Sequence, residues 1–148
     1  CTHLSVSGAR WFTEGKKPMF LRENALDFVK KLMAAPIDRI CIENPVSVIS
    51  SHIREADQTI NPYQFGHTEY KRTCLWLKNL PLLKETDNVL EQTKELPDKI
   101  ANRIWWLGSG KGKERSKFYT GIASAMADQW GDESRLPQIC EQLSLLTL

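Results

Sequence analysis

The chain has 148 residues, 41% hydrophobic and 26% charged, which suits a domain with its own core and excludes wholesale disorder. Its formal net charge is only +2, so an anionic partner is permitted but any nucleic-acid reading has to rest on local clustering of charge. No apolar run approaches the ~20 residues of a membrane span. The four cysteines, Cys1, Cys41, Cys74 and Cys140, are too far apart for zinc-ligand spacing, and reduced thiols in a cytoplasmic protein with no membrane association are the expectation.

Residues 1–15 are rich in Ser, Gly and Thr and read as a loop. Residues 22–35 (RENALDFVKKLMAA) read as a helix, with Ala25, Phe28, Val29, Leu32 and Met33 at i, i+3, i+4, i+7 and i+8 as one apolar stripe, and Pro36 stops it. Residues 38–43 (DRICIE) follow as a short strand with Ile40 and Ile42 on one face. Helix, brief turn and strand suggest part of an α/β unit with a parallel sheet.

Residues 44–66 look loop-like. Residues 71–77 (KRTCLWL) are a second strand in which Thr73, Leu75 and Leu77 share one face and Cys74 and Trp76 the other, so both faces read as buried. Residues 81–97 are polar and irregular, and 104–107 (IWWL) read as a short strand or an aromatic patch. Residues 108–117 (GSGKGKERSK) form a basic, glycine-rich loop that fails phosphate-loop spacing, because Lys113 stands where the second Gly is needed. Residues 118–130 read as a helix with Ile122, Ala125, Met126 and Trp130 in a stripe, ended by Gly131, and a last helix is expected over 136–146.

Three features carry candidate chemistry: Cys1 with its loop, Glu43-Asn44-Pro45, and the basic segments around Arg72 and Lys113. A strand ending Glu43-Asn44-Pro45 puts a carboxylate and an amide at the carboxyl edge of a sheet, where open α/β sheets bind ligands. On its own the tripeptide reads first as turn chemistry beside a solvated charge. Cys1, in CTHLSVSGAR, is a nucleophile if its thiol is activated, and otherwise an inert cysteine. His3, His52 and His67 lack ligand spacing and read as ordinary surface or hydrogen-bonded histidines, with no metal site. Trp105, Trp106 and Trp130 read as core first and base-stacking surfaces second.

In combination, CTHLSVSGARWF, a helix, and a strand ending IENP resemble the order found in DNA cytosine-C5 methyltransferases. Short phage and prophage proteins labelled cytosine methyltransferase-like, with a PPCT-L-S-G loop, ENP, a K-x-T-C-L-W-L strand and a late R-S-K-x-x-x-G-I-A segment, are the most similar in pattern, over Cys1 to about Trp130. The resemblance implies a single α/β domain with a partial Rossmann-like, S-adenosylmethionine-dependent methyltransferase fold, mostly parallel sheet flanked by helices. It makes Cys1 the catalytic nucleophile, with Glu43 and Asn44 as the acid–amide pair and Ser5 in the cysteine's loop. It implies DNA as partner, held by Ser5, Arg10, Lys71, Arg72, Lys111, Lys113 and Arg115, the last three reading equally as a solvated loop. Pro45 and Gly121 fall at the wall of the S-adenosylmethionine site. The family's donor-binding loop precedes the catalytic cysteine, so the chain is expected to be the C-terminal portion of such a fold, its missing half absent or supplied by a partner chain. The expected chemistry is attack of Cys1 on C6 of a flipped cytosine, followed by methylation at C5. The alternatives are a non-catalytic nucleic-acid or protein-binding module derived from that fold and, with less support, an N-terminal-nucleophile enzyme using Cys1 and its α-amine.

Overall fold

The computed structural model describes residues 3–8, 10–108 and 111–131. Its contacts group into two compact units, Cys1–Asn61 with Tyr70–Lys78, and Pro62–Glu69 with Asn79–Leu148. The expected helix over 136–146 lies outside the described residues, as do Cys1 and Cys140.

The first unit is built on a three-stranded sheet. Its strands are β1 (Ile40–Pro45), β2 (Gln58–Ile60) and β3 (Thr73–Lys78), in the spatial order β1-β3-β2. Both pairings are antiparallel, with Ile42 opposite Trp76 and Pro45 opposite Thr73 on one side of β3, and Ile60 opposite Thr73 on the other. The mixed α and β content agrees with the sequence reading, and the parallel Rossmann-type sheet expected from it is corrected. Alternation of apolar residues marks a strand but not its direction, and two-sided burial, the mark of a parallel strand, is met here by antiparallel β3. Thr73, Cys74, Leu75 and Trp76 are all buried. β1 and β2 do run the same way, but β3 is inserted between them and they do not pair with each other.

Helix α1 (Arg10–Thr13) is a single turn, and α2 (Phe20–Met33) is the long helix that residues 22–35 predict. The expected stripe is met in part: Val29 is buried and Ala25 and Met33 pack against the core. Arg22, Leu26 and Val29 are buried, spaced by four and three residues, whereas Phe28 and Leu32 are exposed. Arg22 earns its inward position because its guanidinium lies 4.2 Å from the centroid of the buried Phe12 ring. Leu26 and Val29 join Leu4, Val48, Ile49, Cys74 and Trp76 in the core of this unit, with Ile42 packed against them. A further single turn, α3 (Ile49–His52), and β2 occupy the stretch that sequence alone leaves as loop.

Just before β2, Arg54 and Asp57 clasp the end of β3. Arg54 Nη1 and Nη2 donate to the two Asp57 carboxylate oxygens at 2.9 and 2.8 Å, Leu77 N donates to Asp57 Oδ2 at 2.6 Å, and Trp76 Nε1 donates to the Arg54 carbonyl at 2.9 Å. The bidentate guanidinium–carboxylate pair holds β3 in register at its exit, where the backbone would otherwise fray.

The second unit contains α4 (Leu90–Glu95), α5 (Asp98–Ala101), α6 (Arg103–Trp106), α7 (Gly112–Arg115) and α8 (Thr120–Trp130). Ile122 and Ala125 are its innermost α8 residues, two members of the predicted stripe. Gln129 clasps Lys84 through both backbone groups, at 2.8 Å each, and Trp130 Nε1 donates to the Pro81 carbonyl at 3.1 Å. Residues 104–107 are helical and not a strand, and Trp105 and Trp106 are exposed and not core. Two adjacent indoles on a four-residue helix project about 100° apart, so they cannot share one buried face. Among the described residues, no helix is long and apolar enough to cross a membrane.

Candidate functional site

β1 delivers its last three residues to one rim of the sheet, and strand alternation separates them. Ile42 and Asn44 share the face that packs on the core, where Asn44 is buried and its amide nitrogen donates to the Pro45 carbonyl at 3.1 Å. Cys41, Glu43 and Pro45 share the other face, and Glu43 is exposed. The structure therefore does not bring Glu43 and Asn44 together as a pair of contact groups: the acid is presented, and the amide is tied to its own strand.

Leu4 and Ser5, which follow Cys1 in sequence, are stitched to this rim. Leu4 is buried in the core and its carbonyl accepts from Val48 N at 2.9 Å, while Ser5 forms an antiparallel bridge with Ser47. Gly8 N donates to the Ser5 carbonyl at 3.1 Å, turning the chain into α1. Ser47 is buried, and its hydroxyl accepts from Ile49 N at 3.4 Å as α3 begins. The backbone two to three residues past Glu43-Asn44-Pro45 thus pairs with the backbone three to four residues past Cys1. His3 sets its ring edge-on to Phe12, with centroids 6.2 Å apart. Cys1 lies outside the described residues.

Antiparallel pairing also brings Lys71 to the same rim. Because Pro45 faces Thr73, the two residues before β3 lie past the end of β1. Lys71 is half-buried and draws the Glu43 carboxyl toward ionisation, while burial of that carboxyl, the larger effect, pushes its pKa up. The outcome is a raised pKa on a residue whose surface still reaches solvent. Arg72 is exposed beside it. Of the two described cysteines, Cys74 is buried, and burial followed by the Glu43 charge pushes the Cys41 thiol up to about 11. Cys74 lacks access and Cys41 has a raised pKa, and an activated nucleophile needs access and a lowered one.

The remaining predicted residues lie elsewhere. Arg10 opens α1. Lys111, Lys113 and Arg115 are exposed on and beside α7, in the second unit, so the expected basic loop contains a helical turn. Gly121, also in the second unit, is the second residue of α8, and its N–H donates to His67 Nε2 at 2.9 Å. A Cβ there would stand 1.9 Å from the Phe65 carbonyl oxygen, so the space cleared by this glycine is filled by backbone.

A second cluster escaped the sequence reading. Arg103 donates from Nε and Nη2 to the two oxygens of Glu69, at 2.8 and 3.2 Å, and the Tyr119 hydroxyl donates to Glu69 Oε2 at 2.6 Å. Burial, with that hydrogen bond, holds the Tyr119 phenol well above its ordinary range, so it stays a donor. His67 packs edge-on to Tyr119, with centroids 5.2 Å apart. Because Gly121 N–H can only donate, His67 Nε2 is the acceptor and the ring's proton sits on Nδ1. His67 is thus a hydrogen-bonded histidine, as its sequence context suggests. The separations within this cluster, 34 and 50 residues, leave no local pattern to read. No family model, no curated protein and no solved structure matches the chain.

Proposed function

We propose that the chain is a DNA cytosine-C5 methyltransferase-like protein whose reactive rim is formed by the Cys1 loop, Glu43 and Lys71. The observation that carries this reading is the pairing of Leu4 and Ser5 with Val48 and Ser47. It joins the loop following the candidate nucleophile to the segment following the candidate acid, as a shared site requires. Chain geometry limits a residue three positions upstream of Leu4 to about 11 Å from it.

The proposed step is covalent. The thiolate of Cys1 forms an S–C6 bond with an extruded cytosine, the electron pair of the C5–C6 double bond shifts toward N3, and N3 takes a proton from the Glu43 carboxyl. Burial pushes the Glu43 pKa up, which is the direction a proton donor needs. Lys71 and Arg72 would hold the flanking phosphates, which offsets part of the few kcal/mol needed to extrude a base. Asn44 contributes by holding the strand end that aims Glu43.

S-adenosylmethionine would supply the methyl group at C5. The described residues do not fit a cradle for it at Gly121, because Phe65 occupies the space a donor would need there. That one observation favours the second reading, a nucleic-acid-binding module derived from the fold. The two separate on DNA carrying pyrimidin-2-one in place of cytosine. This base lacks the 4-amino group, is more electrophilic at C6 and needs no methyl donor to form an adduct. The enzyme reading expects a band on denaturing gels that Cys1→Ser abolishes and Glu43→Gln weakens by about 10²-fold in rate. An adduct undiminished in Cys1→Ser, or none with the unaltered chain, overturns it.

A further inference from the structure

The residues between α4 and α8 combine two properties that soluble surfaces seldom combine. Trp105 is 80% exposed, the most exposed large apolar side chain among the described residues, with Trp106, Ile100 and Phe118 each about half exposed. Around them, residues 98–118 hold six basic side chains against two acidic ones, although the whole chain is only +2. Arg103 is engaged by Glu69, and Lys117 neutralises Glu114 at 2.9 Å. Lys99, Lys111, Lys113 and Arg115 remain exposed.

The two properties occupy one place. Arg115 Nη1 donates to the Gly108 carbonyl at 3.4 Å, which ties α7 to the end of the segment that follows α6. Lys99 Nζ stands 5.5 Å from the centroid of the Trp106 ring, and Asp98 accepts the Trp106 indole N–H at 2.7 Å, which fixes that ring's orientation. Trp105, next in line, presents its indole to solvent.

We infer that α6 and α7 form a stacking platform for a single-stranded nucleic acid, with Trp105 taking a base and Lys111, Lys113 and Arg115 the adjoining phosphates. The charge selects a polyanion, and the flat apolar ring selects a polyanion with free π faces. A duplex hides those faces in its own stack. A four-residue helix is too short to lay an apolar face on a membrane. The inference rests on the nucleic-acid reading above and names the form of the strand and the surface that holds it.

Fluorescence anisotropy of a labelled oligodeoxynucleotide of about twelve bases tests it on the whole chain. The unaltered chain should bind the single strand more tightly than the same sequence as duplex. Trp105→Ala should weaken binding by about tenfold, within the range of about 5 to 150-fold expected for one stacked base, and Trp105→Phe should recover most of it. Lys111→Ala with Lys113→Ala should reduce the slope of log K against log salt by about 1.4. Equal binding by Trp105→Ala, with its circular dichroism unchanged, overturns the inference. So does a concentration-dependent dimer that Trp105→Ala dissolves while oligonucleotide binding persists, because the occupant is then a second copy. Binding through Trp105 without adduct formation keeps the platform and fails the chemistry proposed for Glu43, and the reverse result fails the platform alone.

Discussion

Gly121→Ala sets two physical effects against each other. In a helix interior, replacing Gly by Ala gains about 1 kcal/mol, because Ala loses less backbone entropy. At the second residue of α8, however, the new Cβ would lie 1.9 Å from the Phe65 carbonyl oxygen, and contacts under 3.0 Å are essentially never seen. Relief requires a displacement of about 1 Å between α8 and residue 65. Phe65 cannot supply it cheaply: it is buried, its N–H is bonded to Pro62, and it bridges Asp87. Moving α8 instead stretches the 2.9 Å bond from Gly121 N to His67, worth about 1 kcal/mol. With an overpacking cost of about 1–3 kcal/mol, the clash outweighs the propensity gain, and the net loss is about 1–3 kcal/mol. In urea, with an m-value near 2 kcal/mol/M, the midpoint should fall by about 0.5–1.5 M at unchanged m. Gly112→Ala in α7, where a Cβ meets nothing within 4 Å, is the control and should hold or raise the midpoint. A Gly121→Ala midpoint equal to or above that of the unaltered chain would refute the close approach of α8 to Phe65.

Cys41 should resist iodoacetamide at pH 8 in the folded chain and react once urea is added, as peptide mass mapping would show. With its pKa pushed up from 9.0 to about 11, the folded state disfavours the thiolate. Its contribution to stability is therefore complete below pH 9 and lost as pH rises toward 11, a decline that Cys41→Ala should flatten. Labelling of native Cys41 at the rate of a free thiol would contradict its burial. Asp57 has the opposite sign: the Arg54 hydrogen bonds hold its carboxyl below the ordinary value of 3.8, so its contribution is present above that pH and lost as pH falls below it. Both side chains are more than a third exposed, so solvent screening reduces the pair to about 0.5–1 kcal/mol. Denaturation midpoints between pH 5 and 3 should fall less steeply in Asp57→Asn, and identical slopes would place the acid sensitivity elsewhere.

The long helix and the two longer strands were legible because their signals are local. Apolar spacing and Pro36 define α2 to within two residues at each end, and the alternation in DRICIE and KRTCLWL marks β1 and β3 equally closely. Strand direction was not legible, since it depends on the pairing partner and not on the strand's own pattern. β2 and α3, at three and four residues, are too short to carry a period. Arg22 is buried through a contact with Phe12, ten residues away and invisible to a helical count, while Phe28 is exposed. The Trp105–Trp106 error has the same root: hydrophobicity argues for burial, but two neighbours on one turn demand two faces, and the flanking charges leave no second apolar face to meet.

The antiparallel sheet changes which residues meet at this rim. In a parallel sheet, Lys71 and Arg72, entering a strand, would sit at the end opposite the one where β1 exits. Reversing β3 puts its entrance beside the exit of β1, and the Pro45–Thr73 pair fixes the register so that Lys71 reaches the field of Glu43. The carboxyl is then subject to burial that favours its protonated form and to a cation that favours its charge. Of the two, burial is the larger effect, so the carboxyl's pKa is raised. An acid placed by two antiparallel strands, next to a loop pinned through Leu4, depends on the register at Pro45 more than on the identity of any residue between them. A slip of one residue between β1 and β3 would turn Glu43 toward the core and leave Asn44 at the surface in its place.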